Sequence, residues 1–330
     1  MSEEETSRVP PKTPLCHRRR RPNDSRVVLG AIVFLLNVCI LWSPPWDNIA
    51  LQTLPLRLAL TPSQSPTSLQ ESGEEFARVL TQLVGTLVRV FIAADYAGVI
   101  EALRSQNVDL AFVHPVGYVL ASREAGCRII AKDVWHGKTS FTARLWVHEE
   151  SNIRTLEELR GKTIAFVDPA SSSGYIYPMV LLIKHGLIKN RDPKTFFKEV
   201  LFAGSHDAAL LALLSHNVDA TASFDTAPQQ YLKVPCHADA TKQCADEARI
   251  RQLRYVGETE PIPKARISGR PDLYPLVVRK VFEALMAMNA PAYRPLLTKL
   301  YNIDGFAPAE DAEYNSVRDA VDLMGFSGKE

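Results

Sequence analysis

The chain has 330 residues, 46% of them hydrophobic and 23% charged, with a formal net charge of +1. That is an ordinary globular composition with room for two domains, and the near-zero charge gives no basic surface for nucleic acid. Five scattered cysteines and eight dispersed histidines have no zinc spacing, so neither a metal nor a cofactor is called for.

Arg18 to Arg21 precede Val27 to Trp42, VVLGAIVFLLNVCILW, a run without a single charge. A basic flank ahead of an apolar run predicts export, with residues 1–26 a cytoplasmic tail and 27–46 a signal anchor or signal peptide. Asn48-Ile49-Ala50 is a poor cleavage site, which favours an uncleaved anchor in the inner membrane and a periplasmic or other extracytoplasmic location for the rest. Cys236 and Cys244 lie close enough in a polar loop to form a small disulfide or to remain free thiols.

Leu54 to Leu60 alternates as a strand, and Thr61 to Ser68 is a Pro/Ser/Thr turn. Phe76, Val79, Leu80, Leu83 and Leu87 then recur at helical spacing before a second strand over Val88 to Ile92. Val99, Ile100 and Leu103 mark a helix, Val108 to Val113 a buried strand, and Tyr118 to Ala121 the start of another helix. Phe141 to Val147 and Ile164 to Val167 read as strands. Further strands follow at Val200 to Phe202 and Val218 to Ala222, separated by a helix from Gly204 to Leu214. Leu253 to Val256 reads as a strand returning to the first half, followed by helices over Tyr274 to Met288, Tyr293 to Leu300 and Tyr314 to Met324. Strands alternating with helices predict parallel sheets whose ligands sit beyond the strand C-termini, where Tyr96 and His114 fall. Val99 to Phe112 and Ala209 to Ala222 share one plan, an apolar helix, an Asn turn and Val-Asp entering a strand, which predicts two similarly built lobes.

Between Asp168-Pro169, which breaks a strand, and the apolar run from Met179 stands Ser171-Ser172-Ser173-Gly174. The first amides of a helix have no intrahelical acceptor and carry partial positive charge, and three hydroxyls beside them make a neutral anion cradle. A plain helix cap is the structural alternative. No P-loop lysine is present, so nucleotide hydrolysis is not suggested. Ser172, His206 and Asp225 lack the G-x-S-x-G elbow of a hydrolase, and the chain reads as a binding protein, not an enzyme.

Six pieces in order carry a family resemblance: Asp95-Tyr96-Ala97-Gly98, Val108 to Ala111, Asp168 to Gly174, Ala203 to Asp207, Val218-Asp219-Ala220 and Ile262-Pro263. Together they resemble the phosphonate-binding periplasmic substrate-binding proteins of ABC transporters. The resemblance implies a class II binding-protein fold of two Rossmann-like α/β lobes joined by a two-strand hinge, with lobe one 54–141 plus 257–330 and lobe two 142–256. It implies a small phosphorus-containing anion held by Ser171, Ser172, Ser173, Tyr96 and His206, the last supplying a hydrogen bond or a charge that would make binding depend on pH near 6 to 7. Asp225 stands near the ligand's other end. Phe141 stands where the family's phosphonate binders carry a tyrosine, and Lys264-Ala265 where they carry an aspartate, which disfavours an amine-bearing ligand. Tyr118 and His114 read as structural. The implied partner is an ABC transporter permease; a membrane-tethered sensory module of the same fold is the alternative.

Overall fold

In the computed structural model, which describes residues 54–235 and 243–326, the alternation becomes two mixed sheets. The first contains β1 (Leu56–Leu60), β2 (Val88–Ile92), β3 (Leu110–Phe112), β4 (Arg128–Val134), β14 (Ile267–Gly269) and β15 (Gly305–Pro308), in the order β15-β4-β14-β3-β1-β2. The second contains β6 (Ala143–His148), β7 (Thr163–Phe166), β8 (Glu199–Phe202), β9 (Ala220–Phe224) and β12 (Leu253–Glu258), in the order β12-β6-β9-β7-β8. The chain passes between them through β5 (Ser140–Phe141) and β13 (Ile262–Pro263), which pair antiparallel. Thr142 thus divides the strand expected from Phe141 to Val147. β12 does not return to the first sheet; it pairs antiparallel with β6, and the return follows through β13. A separate ribbon pairs β10 (Lys233–Pro235) with β11 (Gln243–Ala245), where Cys244 is disulfide-bonded. Cys236 and the apolar run 27–46 lie outside the described residues; among those described, no helix is long and apolar enough to cross a membrane.

The repeat seen in the sequence has a physical basis. β2-β1-β3 and β8-β7-β9 are parallel triplets with the same order. In each, the second helix (Tyr96–Arg104, His206–Leu214) is capped by a side chain: Asp95 accepts from the Gly98 N–H and Ser205 from the Ala208 N–H. Each then stops at a left-handed residue, Gln106 (φ 57°) or His216 (φ 55°), after which the N–H of Asn107 or Asn217 turns back to Ala102 or Ala212. The following aspartate ties the third strand to the central one. Asp109 accepts the Arg57 N–H at 2.8 Å, and Asp219 accepts the Thr163 N–H at 2.8 Å. Asp109 is buried and pairs with Arg57 and Arg270 at 3.0 Å each, whereas Asp219 is exposed. Asp109→Ala is therefore expected to cost about 2–3 kcal/mol and Asp219→Ala about 0.5–1.5 kcal/mol. Urea unfolding checks this, and equal losses would contradict it.

Leu58, Leu60, Leu69, Phe76 and Leu80 fill the space between the first sheet and the Pro66–Val84 helix, and all are fully buried. A second core runs from Ile164 and Phe166 to the Tyr177–Lys184 helix and on to Tyr314 and Val317, joining the two sheet units through one apolar cluster. The loops after β1, β3, β7 and β9, with the helix starts after β2 and β8, consequently meet around one crevice.

Candidate ligand-binding site

The serine turn is built by its own backbone. After β7, the Asp168 carboxylate accepts the Ala170 N–H at 2.7 Å and its carbonyl accepts the Ser171 N–H at 2.9 Å. The Ser171 hydroxyl oxygen then accepts the Gly174 N–H at 3.1 Å. A widened turn over Ser172–Ile176, with five-residue spacing, precedes the Tyr177–Lys184 helix. Such wide turns concentrate at functional sites. Among the described residues, the N–H groups of Ser172 and Ser173 meet no backbone acceptor.

All three serines are buried. Ser172 finds its partners across the crevice: its oxygen accepts the Val116 N–H at 3.0 Å and lies 3.0 Å from His114 Nδ1. Nδ1 also accepts the Gly117 N–H at 3.3 Å and so carries no proton of its own, which makes the Ser172 hydroxyl the donor to it. His114 therefore carries its proton on Nε2 and caps the Pro115–Ala125 helix. Tyr118, on that helix, faces away from the crevice and donates to Asp311.

Tyr96 and His206 occupy equivalent places in the repeat, the first turns of the two capped helices. The Tyr96 ring lies 4.7 Å from that of His114, and His206 Nδ1 lies 2.7 Å from the Ser223 hydroxyl. Burial lowers the pKa of His206 to about 3. Burial, then the neighbouring His206 and Arg266, lowers that of His114 to about 3 as well. Burial thus favours the neutral form of His206, the hydrogen-bonding alternative of the two that the resemblance allowed. Burial also raises the pKa of Tyr96, Tyr231 and Tyr301, which keeps the phenols protonated as donors. Tyr231 donates to the Ser63 carbonyl at 3.3 Å and Tyr301 to that of Thr61 at 2.9 Å.

One wall is charged. The fully buried Asp133 takes Lys264 Nζ at 2.8 Å and Arg266 Nε at 3.2 Å. Burial alone would raise the Asp133 pKa, but Arg266 and Lys264 outweigh it and hold it at about 2. Lys264 Nζ sits 5.7 Å from the Phe141 ring, and the Arg266 guanidinium lies 4.9 Å from the Tyr301 ring. Opposite, burial raises the pKa of Asp225, opposed by Arg144, the Thr226 N–H and Lys264.

Tyr96, Phe141, Ser171, Ser172, Ser173, His206 and Asp225 all line a single cavity of about 190 Å³. So do residues that no motif marked: Thr61, Ser63, Asp133, Tyr231, Arg266 and Tyr301. The repeat held a signal for two of these, since Thr61 and Ser63 follow β1 as the serine turn follows β7.

Two α/β units joined by paired short strands, with a cavity at the C-terminal ends of both parallel triplets, make the periplasmic-binding-protein fold. The same fold is found in a binding protein component of an ABC phosphonate transporter from Pseudomonas aeruginosa (TM-score 0.70, 23% identity, covering 82% of this chain and 86% of that one). It is found again in PhnD1 from Prochlorococcus marinus in complex with methylphosphonate (TM-score 0.70, 18% identity, 82% and 98% covered). The chain belongs to the family of ABC transporter phosphonate periplasmic substrate-binding proteins, whose model matches residues 58–314. It is 28% identical over 292 residues to the phosphate-import protein PhnD of Mycolicibacterium smegmatis, covering 82% of this chain and 86% of the relative. The family is one of extracytoplasmic transport receptors rather than enzymes.

Proposed function

We propose that this protein captures a phosphorus oxyanion, phosphonate, phosphite or phosphate, in the crevice and delivers it to an ABC transporter permease. Ser171, Ser172, Ser173, Tyr96 and His206 hold the phosphoryl oxygens, while Phe141 and Asp225 border the ligand's other end. The units 54–141 with 257–330, and 142–256, act as two lobes that close on the β5–β13 pair, and residues 27–46 tether them to the inner membrane.

One observation carries this reading: neutral donors from both halves converge on a small buried cavity beside two cations that share one carboxylate. Desolvating a phosphoryl group is offset only where most of its oxygens find donors. The cavity is also smaller than the roughly 300–1,000 Å³ of drug-sized sites. With phosphate, phosphite or methylphosphonate at a hundredfold excess over Kd, the full chain should gain about 2.7 kcal/mol of stability, read as a rise in Tm. Acetate should give none. A Tm unmoved by every phosphorus anion would overturn the proposal.

A further inference from the structure

Resting on that reading, we propose that Lys264, Arg266 and Asp133 set the ligand class: the site accepts wholly anionic phosphorus ligands and rejects phosphonates that carry an ammonium group. Asp133 is the shared partner of both cations, at 2.8 Å and 3.2 Å, so one positive charge on this wall has no protein counter-ion within the cluster. The wall cannot easily rearrange to hide that charge. Asp133 is fully buried, Arg266 is stacked on Tyr301, and Lys264 is held between Asp133 and the Phe141 ring. Both cationic side chains are largely shielded from solvent, so their field is weakly screened inside the cavity.

The remaining charged groups of the lining do not cancel it. Lys138 and Asp225 carry opposite signs, and the other donors, the serines, Tyr96, His114 and His206, are neutral. Asp225 is the one lining carboxylate besides Asp133 that an ammonium could meet, and Lys264 already lies close enough to favour its ionised form. An incoming ammonium would have to share Asp225 with Lys264 while facing Arg266. A ligand with negative charge alone supplies what the wall lacks.

Calorimetric titration of the full chain with methylphosphonate and with aminoethylphosphonate tests this. Wild type should bind methylphosphonate about tenfold or more tighter, a ratio one unbalanced charge can produce at cavity distances. Lys264→Gln should bring the ratio close to one, and Lys264→Arg should keep it. A wild-type ratio near one, or a Lys264→Gln variant that weakens both ligands by the same factor, overturns the inference and leaves the proposed function standing. Binding of neither ligand, nor of phosphate or phosphite, is instead the failure of the proposed function. Should Lys264→Gln melt too low to titrate, the wild-type ratio and its retention in Lys264→Arg still decide.

Discussion

Gly174→Ala is expected to lower stability by about 3 kcal/mol and to weaken binding of a phosphorus anion by about a hundredfold. A methyl group at this position would stand 2.4 Å from Val167 Cβ, 2.5 Å from Val167 Cγ2 and 2.8 Å from Ser171 Oγ. The nearest of these atoms is Val167 Cβ, which no change of rotamer moves, and Val167 is fully buried. The clash can be relieved only by lifting the turn off the strand end, and Gly174 fastens that turn at two points. Its carbonyl accepts the Val167 N–H at 3.2 Å, and its N–H donates to Ser171. The same displacement would carry Ser171, Ser172 and Ser173 out of position. Gly161→Ala is the control: Gly161 has a positive φ of 71° but open space around a Cβ, so it should lose about 1 kcal/mol and leave binding intact. Urea unfolding and calorimetry read both variants. Wild-type affinity in a folded Gly174→Ala protein would mean that the serine turn does not hold the ligand.

Whatever was encoded locally could be read before the structure. Period-two and helical spacing located β1, β2 and the Pro66–Val84 helix, because each buries one regular face. The Asn-Val-Asp repeat pointed to two halves because the same strand clip recurs in both. The serine turn was visible, but not its shape. A regular α-turn would need an N–H at Pro178 to reach the Gly174 carbonyl; proline has none, and that carbonyl takes the Val167 N–H instead, so the turn widens. The charged wall left one local trace, Lys264, and none of its pairing. Asp133 and Arg266 stand 133 positions apart and meet because β14 inserts between β3 and β4, a strand order that no short motif specifies. Lys264 could be seen only as an unusual residue after Ile262-Pro263, without its partner. His206 was placed in the cavity from sequence, but its charge state follows from complete burial, which spacing does not reveal.

That charge state predicts a steep acid sensitivity of the fold. In the folded protein His114 and His206 have pKa values lowered to about 3, by burial first and, for His114, by His206 and Arg266 as well; the ordinary value is 6.5. Above pH 6.5 neither folded nor unfolded chain protonates them, and stability is complete. As pH falls below 6.5 the unfolded chain takes up two protons that the folded chain refuses, so stability is lost progressively down to about pH 3. The limiting slope is about 1.4 kcal/mol per pH unit for each histidine. Between pH 7 and pH 5 the pair should therefore remove on the order of 2–4 kcal/mol. Asp133, with its folded pKa lowered to about 2, adds a loss in the same direction below its usual value of 3.8. Asp168 and Asp225 act oppositely: burial raises their folded pKa values, so acidification relieves a cost there. Both start from an ordinary value of 3.8, far below the 6.5 of histidine, so the histidines dominate the first part of the fall. His206→Gln retains a neutral hydrogen-bonding side chain and should roughly halve the slope between pH 6.5 and pH 5. Urea unfolding at half-unit pH steps measures it, and ring-proton NMR of the folded protein should show both imidazoles neutral at pH 5. A stability profile flat from pH 7 to pH 5, or a folded-state titration of either ring near pH 6.5, would mean that the two rings are hydrated and that the crevice is open to water rather than closed.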